Sequence, residues 1–146
     1  MIIHADGASL GNPGLASTGA TIKDEQGRLI ASISQRIGRA TNNQAEYKAL
    51  IAALEEATRL GAKQVEVSLD SELVVRQING KYRVRKAALK PLYQRVKQLQ
   101  SLLEDFSINY VPRQQNTEAH TLASMALRGY LSPRLVKGDK GSSQES

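Results

Sequence analysis

The chain has 146 residues, 40% of them hydrophobic, and it contains no cysteine. This length suits one hydrophobic core and predicts a single domain, while the lack of thiols excludes disulfides, zinc–thiolate sites and cysteine nucleophiles. No run approaches the roughly 20 apolar residues that span a bilayer, so we expect a cytoplasmic protein that does not bind membranes. The formal net charge of +6 favours an anionic partner.

The first forty residues predict three antiparallel strands joined by tight turns. Residues 2–5 form a short apolar strand that ends at Asp6, and a turn rich in glycine follows over 11–14. A second strand is predicted over 16–23. The third covers 28–37, where apolar and polar residues alternate, so that one face of the sheet is expected to be buried.

Helices dominate the rest of the chain. Apolar residues recur at helical spacing from Thr41 to Gly61, which predicts the longest helix. A strand over 65–69 then ends at Asp70, and the segments that follow are a helix over 71–79, a helix over 89–106 and a strand over 107–111.

A last helix is predicted to begin at Asn116 or Thr117 and to end at Gly129. The order βββαβααβα therefore predicts an α/β fold with a five-stranded mixed sheet flanked by helices. We expect the domain to cover residues 1–131. Residues 132–146, composed mainly of small and charged side chains, are predicted to form a disordered tail.

Two aspartates occupy equivalent places in this predicted fold, because Asp6 and Asp70 each directly follow a strand. Ligands of α/β sheets bind beyond the carboxyl ends of parallel strands. Glu46 borders the apolar stripe of the first helix and offers a third carboxylate. Clustered carboxylates repel one another unless a cation joins them, and Mg²⁺ and Mn²⁺ take oxygen ligands. The three acids predict a divalent-metal site, although each alone is more often a turn former or a surface charge.

Three motifs, in this order, resemble those of the type 1 ribonuclease H family: Asp6-Gly-Ala-Ser-Leu-Gly-Asn-Pro-Gly14, Thr41-Asn-Asn-Gln-Ala-Glu46 and Asp70-Ser71. The resemblance covers about residues 1–128 and implies a three-layer, ribonuclease H-like fold of the compact branch that lacks a long basic extension. It also implies a monomeric endonuclease that hydrolyses the RNA strand of RNA/DNA hybrids and leaves 5′-phosphate ends. The implied cofactors are two divalent ions, Mg²⁺ or Mn²⁺, at Asp6, Glu46 and Asp70.

The family pattern differs at the start of the last helix, where His120 stands in place of a fourth aspartate. One negative charge fewer weakens binding of the second ion, and imidazole suits Mn²⁺ better than Mg²⁺. We therefore predict that His120 is a catalytic metal ligand, together with the three acids, and that Mn²⁺ is preferred. The alternative is that His120 only packs at the start of the helix.

Discrimination of RNA from DNA needs small polar groups that reach the 2′-hydroxyl. Such groups cluster in the first two motifs, where the glycines of 7–14 are also expected to bring the backbone close to the hybrid. Asn12 and Asn42 match asparagines that contact the hybrid in the family, and Thr41 matches a residue that holds a DNA phosphate. The predicted contacts in these motifs are Ser9, Asn12, Thr41, Asn42 and Gln44.

Basic residues without any acid fill the segment from Leu73 to Leu103. Lysine and arginine contacts to phosphates set affinity and register, so this segment predicts a binding surface for the hybrid backbone. A solvated basic helix face is the alternative. The predicted phosphate contacts are Lys81, Arg83, Arg85 and Lys86.

Two other functions remain open at this point. The first is a catalytically weak or inactive module that binds hybrids, in which His120 has disabled metal binding. The second is another nuclease of the same fold, such as a 3′-end exonuclease. Double-stranded RNA also remains open as a partner.

In relatives with a longer loop before the last helix, a histidine there assists product release, and the segment 111–116 carries no histidine.

Overall fold

The computed structural model describes residues 1–128. The predicted limit of the domain at 131, the end of the last helix at Gly129 and the tail over 132–146 lie outside this range. None of the helices within it combines the length and the apolar character needed to cross a membrane. The elements are β1 (Ile2–Ser9), β2 (Gly14–Lys23), β3 (Leu29–Ala40), α1 (Asn42–Arg59), β4 (Gln64–Leu69), α2 (Glu72–Ile78), α3 (Lys90–Gln100), β5 (Asp105–Tyr110) and α4 (Thr117–Arg128).

The five strands form one mixed sheet in the order β3-β2-β1-β4-β5. β1 pairs antiparallel with β2 and parallel with β4, which is in turn parallel with β5. On one face of the sheet, Ile3 and Ala20 join Tyr47 and Leu50 of α1 in the buried core. On the other face α4 packs against β2, where the Ser17 hydroxyl donates to the Ala123 carbonyl at 2.6 Å. The predicted three-layer arrangement is confirmed.

Helix α1 is capped as the sequence predicts. The Thr41 hydroxyl accepts a hydrogen bond from the Gln44 backbone N–H at 3.1 Å, and the Gln44 side-chain oxygen accepts one from the Thr41 N–H at 2.8 Å. This reciprocal pair satisfies two backbone donors that would have no partner at a helix start. The helix therefore begins at a defined residue, which places Glu46 in its second turn.

Strand β1 is longer than predicted, and Asp6 does not end it. It continues to Ser9 because β2 remains its antiparallel partner, with Asp6 opposite Gly19. The parallel pairing with β4 stops earlier, at Ala5 opposite Leu69. Asp6 is therefore the first residue of β1 beyond its pairing with β4. It lies at the carboxyl end of the parallel strands, as predicted, although the predicted end of the strand was wrong.

The helix predicted over 89–106 is also shorter, since α3 ends at Gln100 and β5 begins at Asp105. The backbone N–H groups of Glu104 and Asp105 donate to the Lys63 carbonyl at 2.8 and 3.2 Å. These bonds start the parallel pairing of β5 with β4 two residues before the predicted strand. The helical spacing of apolar residues in this segment was overridden by pairing with a distant strand.

Candidate metal centre and nucleic-acid interface

Asp6, Glu46 and Asp70 converge at the carboxyl end of the β1–β4 pair. One carboxylate oxygen of each residue lies within 4.8 Å of those of the other two. Asp6 and Asp70 are neighbours because each directly follows one member of the register pair Ala5–Leu69. The third carboxylate comes from α1 and is held by the Gly7 N–H, which donates to Glu46 Oε1 at 3.1 Å.

Gly7 permits this close approach of β1 to α1. A Cβ atom added at Gly7 would lie 2.2 Å from the carbonyl carbon of Ala45 and 2.5 Å from the Glu46 nitrogen. No side chain fits at such distances without a shift of the backbone. Gly7 therefore serves the contact of β1 with α1, and the approach of the 7–14 backbone to a hybrid stays a prediction.

The three carboxylates strongly affect one another. Burial, followed by the charge of the neighbouring Asp70, raises the pKa of Asp6 to about 6, although the hydrogen bond with His120 acts in the opposite direction. Burial, followed by the charges of Asp6 and Asp70, raises the pKa of Glu46 well above its usual range. Three ionised carboxylates are therefore unfavourable at this position unless a cation balances them.

Two oxygens of the cluster lack any hydrogen-bond donor within residues 1–128, namely Oδ1 of Asp6 and Oδ1 of Asp70, and both are buried. The other oxygen of each carboxylate is engaged, since Asp6 Oδ2 lies 2.9 Å from His120 Nδ1 and Asp70 Oδ2 accepts from Arg113 Nε at 3.0 Å. A buried carboxylate oxygen without a donor is destabilising. These oxygens are the ligands that a hard divalent cation takes, so the residues present fit such an ion.

His120 lies beside this cluster but is bonded to Asp6 through its Nδ1 atom. Its side chain is 37% exposed, whereas that of Asp6 is 1% exposed. The metal-capable group in the described part of the chain consists of the three acids without the histidine. Since Nδ1 is occupied by Asp6, Nε2 is the ring nitrogen that remains open to an ion.

Arg113 also reaches the cluster, and the sequence patterns did not reveal it. It lies in a short 3₁₀ turn, Arg113–Gln115, between β5 and α4. Its Nε bonds Asp70, and its charge lowers the pKa of Glu46 against the larger effect of burial. The available signal was topological: the segment 111–116 leaves the carboxyl end of β5, which neighbours β4 and so opens at the same sheet edge.

The five polar residues predicted to contact substrate form one continuous surface next to Glu46. The Asn12 side-chain oxygen accepts from the Asn42 N–H at 3.0 Å, which joins the loop after β1 to the first turn of α1. The Ser9 hydroxyl donates to the Ala40 carbonyl at 3.0 Å, just before that turn. Thr41 and Gln44 form the capping pair, so their side chains have a structural task as well.

The basic segment separates into two groups. Arg76 pairs with Glu72 at 2.7 Å and Arg95 pairs with Glu55 at 3.0 Å, so these cations are balanced by acids of the chain. The four residues predicted to bind phosphates behave differently, because no ion pair within residues 1–128 involves them. These residues are Lys81, Arg83, Arg85 and Lys86.

The four cations line a cavity of about 420 Å³ between the loop after α2 and the start of α1. Asn43, Gln77 and Tyr82 complete its polar lining. Gln77 is only 4% exposed, and its side-chain oxygen accepts from the Tyr47 hydroxyl at 2.6 Å. The amide nitrogen of Gln77 is therefore left as a donor. A cavity lined by cations and amide donors favours an anionic group such as phosphate over a solvated basic face.

Comparison with known proteins agrees with this geometry. A family model described as reverse transcriptase-like matches residues 4–126. The structure resembles RNase H1 of Halobacterium salinarum (TM-score 0.85, 42% identity, 87% of this chain and 96% of that one). It also resembles the N-terminal RNase H domain of Rv2228c from Mycobacterium tuberculosis (TM-score 0.83, 43% identity, 85% and 95%). A third match is LC11-RNase H1, solved with an RNA/DNA hybrid (TM-score 0.85, 39% identity, 90% and 99%).

The full-length relatives are larger than the matched region. The chain is 43% identical over 128 residues to the bifunctional protein Rv2228c, of which it spans 35%. It is 44% identical over 127 residues to ribonuclease HI of Halobacterium salinarum, of which it spans 64%. Because the family model matches most of the chain and the solved ribonuclease H domains are matched almost completely, the chain belongs to the ribonuclease H family.

Proposed function

We propose that the chain is an endonuclease that hydrolyses the RNA strand of RNA/DNA hybrids and leaves 5′-phosphate ends. The observation that carries this proposal is the cluster of Asp6, Glu46 and Asp70. Within it, Oδ1 of Asp6 and Oδ1 of Asp70 are buried without a hydrogen-bond donor from residues 1–128 and lie close to other carboxylates. Support comes from LC11-RNase H1, a relative of the same fold that was solved with such a hybrid.

The three carboxylates would hold two divalent ions, Mg²⁺ or Mn²⁺. Two ions in such a site activate a water molecule and stabilise the leaving 3′ oxygen of the phosphodiester. The chain itself supplies the positioning: the Gly7 N–H orients Glu46, and Arg113 and His120 each bond one oxygen of an aspartate. Hydrolysis of this kind needs no nucleophilic side chain, which agrees with a chain that has no cysteine.

The polar surface next to Glu46 would recognise the RNA strand. Ser9 at the end of β1, Asn12 in the loop after it and Asn42 in the first turn of α1 would contact a 2′-hydroxyl. The side chains of Thr41 and Gln44 also form the helix cap. We assign Thr41 a contact with a DNA phosphate and Gln44 an amide donor beside that phosphate. The cavity lined by Lys81, Arg83, Arg85 and Lys86 would hold backbone phosphates.

Cleavage of a defined RNA/DNA hybrid tests this proposal. The RNA strand is labelled at one end and incubated with Mg²⁺, with Mn²⁺ or with a chelator, beside single-stranded RNA, double-stranded RNA and double-stranded DNA of the same sequence. We expect internal cuts in the RNA strand of the hybrid that require the metal and leave 5′-phosphates. The matched control is Glu46→Gln, which keeps the shape of the side chain and should abolish cleavage.

Other results would support the competing functions. Cuts confined to one end of the strand would indicate an exonuclease, and cleavage of DNA would contradict the proposed specificity. Hybrid binding without cleavage in either metal would indicate a binding module. The hydrogen bond between His120 and Asp6 favours this second candidate, since it engages a carboxylate oxygen that a metal could otherwise use.

We further propose that His120 ligates metal and that Mn²⁺ is therefore preferred over Mg²⁺. The bond of Nδ1 to Asp6 leaves Nε2 as the ligating nitrogen, and imidazole suits Mn²⁺ better than the harder Mg²⁺. His120→Asp should raise Mg²⁺-supported cleavage and reduce the ratio of Mn²⁺ to Mg²⁺ rates. If the ratio is the same in the variant and in the parent, His120 only packs at the start of α4.

A further inference from the structure

Arg113 stands at the rim of the carboxylate cluster, between a buried acid and solvent. Its Nε donates to Asp70 Oδ2 at 3.0 Å, and its side chain is 61% exposed whereas that of Asp70 is 4% exposed. The guanidinium thus has one edge on a buried carboxylate of the candidate metal centre, and the rest of the group extends outward from it.

The outward part of this guanidinium has unused donors. Arginine carries five N–H donors in a planar fork, and within residues 1–128 only the Nε donor of Arg113 is engaged in a hydrogen bond. The two Nη groups, with four N–H bonds, therefore have no hydrogen-bond partner within residues 1–128. A planar pair of such donors matches the oxygens of a phosphate group.

The bond to Asp70 does not block the carboxylate for a cation. Arg113 takes Oδ2, while Oδ1 of the same carboxylate is buried and has no donor in the part of the chain that the structure describes. One oxygen of Asp70 is thus engaged by the arginine, and the other is left for an ion.

A polyanion that approaches three carboxylates needs a cation close to them. The four basic loop residues lie beside α2 and the start of α1, whereas Arg113 follows β5 and bonds Asp70 directly. Its charge is close enough to Glu46 to lower the pKa of that residue. Arg113 is therefore placed to offset the repulsion at the position where the reacting phosphate has to come nearest to the acids.

We propose that Arg113 bridges Asp70 and a phosphate group of the bound nucleic acid. Its Nε holds the orientation of the Asp70 carboxylate, and its Nη groups donate to phosphate oxygens of the strand that lies in the site. This inference rests on the proposed function. Arg113 acts as a positioning residue for Asp70 and as a phosphate-binding residue, a combination that lysine cannot reproduce because it lacks the planar fork.

Binding of a hybrid by the metal-free protein tests the phosphate contact. Dissociation constants are measured in chelator over a series of salt concentrations for the parent chain, Arg113→Gln and Arg113→Lys. The matched control is Arg59→Gln, since Arg59 is an exposed arginine that pairs with Glu56 at the far end of α1. Thermal unfolding of each variant confirms that it remains folded.

We expect Arg113→Gln to weaken hybrid binding about tenfold at fixed salt, as for loss of a charge-assisted contact. The slope of log K against log salt should fall by about 0.9, the value for one phosphate contact. Arg113→Lys should keep the slope and lose part of the affinity, and the control should match the parent. An Arg113→Gln variant with the parental dissociation constant and slope would overturn the proposal.

Direct titration of the free protein with Mn²⁺ separates a bridge from a competitor. If Arg113 only occupies the metal position, its removal should tighten Mn²⁺ binding about tenfold or more, and that result would also overturn the bridge. We expect the affinity of the Arg113→Gln variant for Mn²⁺ to stay within about threefold of the parent. The poorer orientation of Asp70 weakens binding, and the removal of repulsion between Arg113 and the ion offsets this loss. A parent chain that neither binds nor cleaves hybrids would refute the proposed function itself, whereas an active parent with unchanged Arg113 variants would refute only the bridge.

Discussion

Replacement of Asp6 by asparagine removes a buried charge and should stabilise the metal-free protein. Asp6 is 0% exposed, and burial together with Asp70 raises its pKa from 3.8 to about 6. A raised pKa means that the folded state binds the proton more tightly than the unfolded state does. Ionisation of Asp6 therefore lowers stability as the pH rises through the interval between 3.8 and about 6.

The size of the effect follows from that interval. At about 1.4 kcal/mol per pH unit, the difference between the two pKa values corresponds to roughly 3 kcal/mol when Asp6 is fully ionised. This destabilisation falls to about half at pH 5 and to well under 1 kcal/mol at pH 4, where the unfolded state also begins to bind the proton. We expect Asp6→Asn to exceed the parent by up to about 3 kcal/mol at pH 8 and to lose this advantage toward pH 4.

Urea unfolding in chelator at pH 8, 6, 5 and 4 measures this difference. The control is Asp24→Asn, because hydrogen bonds from Arg28 lower the pKa of Asp24, and a lowered pKa stabilises the fold above the unfolded value. The control should therefore be less stable than the parent at pH 8, with a difference that fades as the pH falls. Added Mn²⁺ should reverse the order at Asp6, since only the parent keeps the full ligand set.

One result would refute this reasoning. If Asp6→Asn is no more stable than the parent at pH 8 in chelator, the charge of Asp6 is not destabilising in the folded state. A difference that does not change with pH would lead to the same conclusion. Repulsion among the three carboxylates would then be too weak for the cluster to require a cation.

Two further predictions concern the approach of α1 and the basic loop. Gly7→Ala should destabilise the fold by about 1–3 kcal/mol, the usual effect of overpacking. It should also reduce cleavage, because the hydrogen bond from the Gly7 N–H to Glu46 is broken. Parental stability and activity of the variant would contradict the close contact between β1 and α1. Joint reversal of charge at Arg83 and Arg85 should raise KM and reduce the salt slope of hybrid binding by about 1.8, the value for two phosphate contacts. An unchanged slope would show that these side chains do not contact phosphates.

Local patterns predicted most of the elements correctly. Helical periodicity predicted α1, turn residues bounded β2, and alternation of apolar and polar residues predicted β3. The failures occurred where distant partners decide the boundary. Asp6 lies inside β1 because β2 continues beside it, and α3 ends early because β5 pairs with β4.

The candidate site was predicted in part for the same reason. Asp6, Glu46 and Asp70 were found because strand ends and a helix face are local features of the sequence. The contact of Gly7 with Ala45 was not predicted, since it joins segments that local patterns do not connect. Arg113 was missed, because its bond to Asp70 spans 43 positions along the chain.

The sequence by itself determined the order of elements, the three acids and the family resemblance, because each depends on residue types at short spacing. Only the tertiary structure decided which oxygen of each aspartate is engaged and which has no donor. It also separated Arg76 and Arg95, which pair with acids of the chain, from the four basic residues of the loop after α2, which form no ion pair within residues 1–128. Such distinctions arise from distances between segments remote in sequence, and electrostatic and hydrogen-bond energies depend on those distances and on burial.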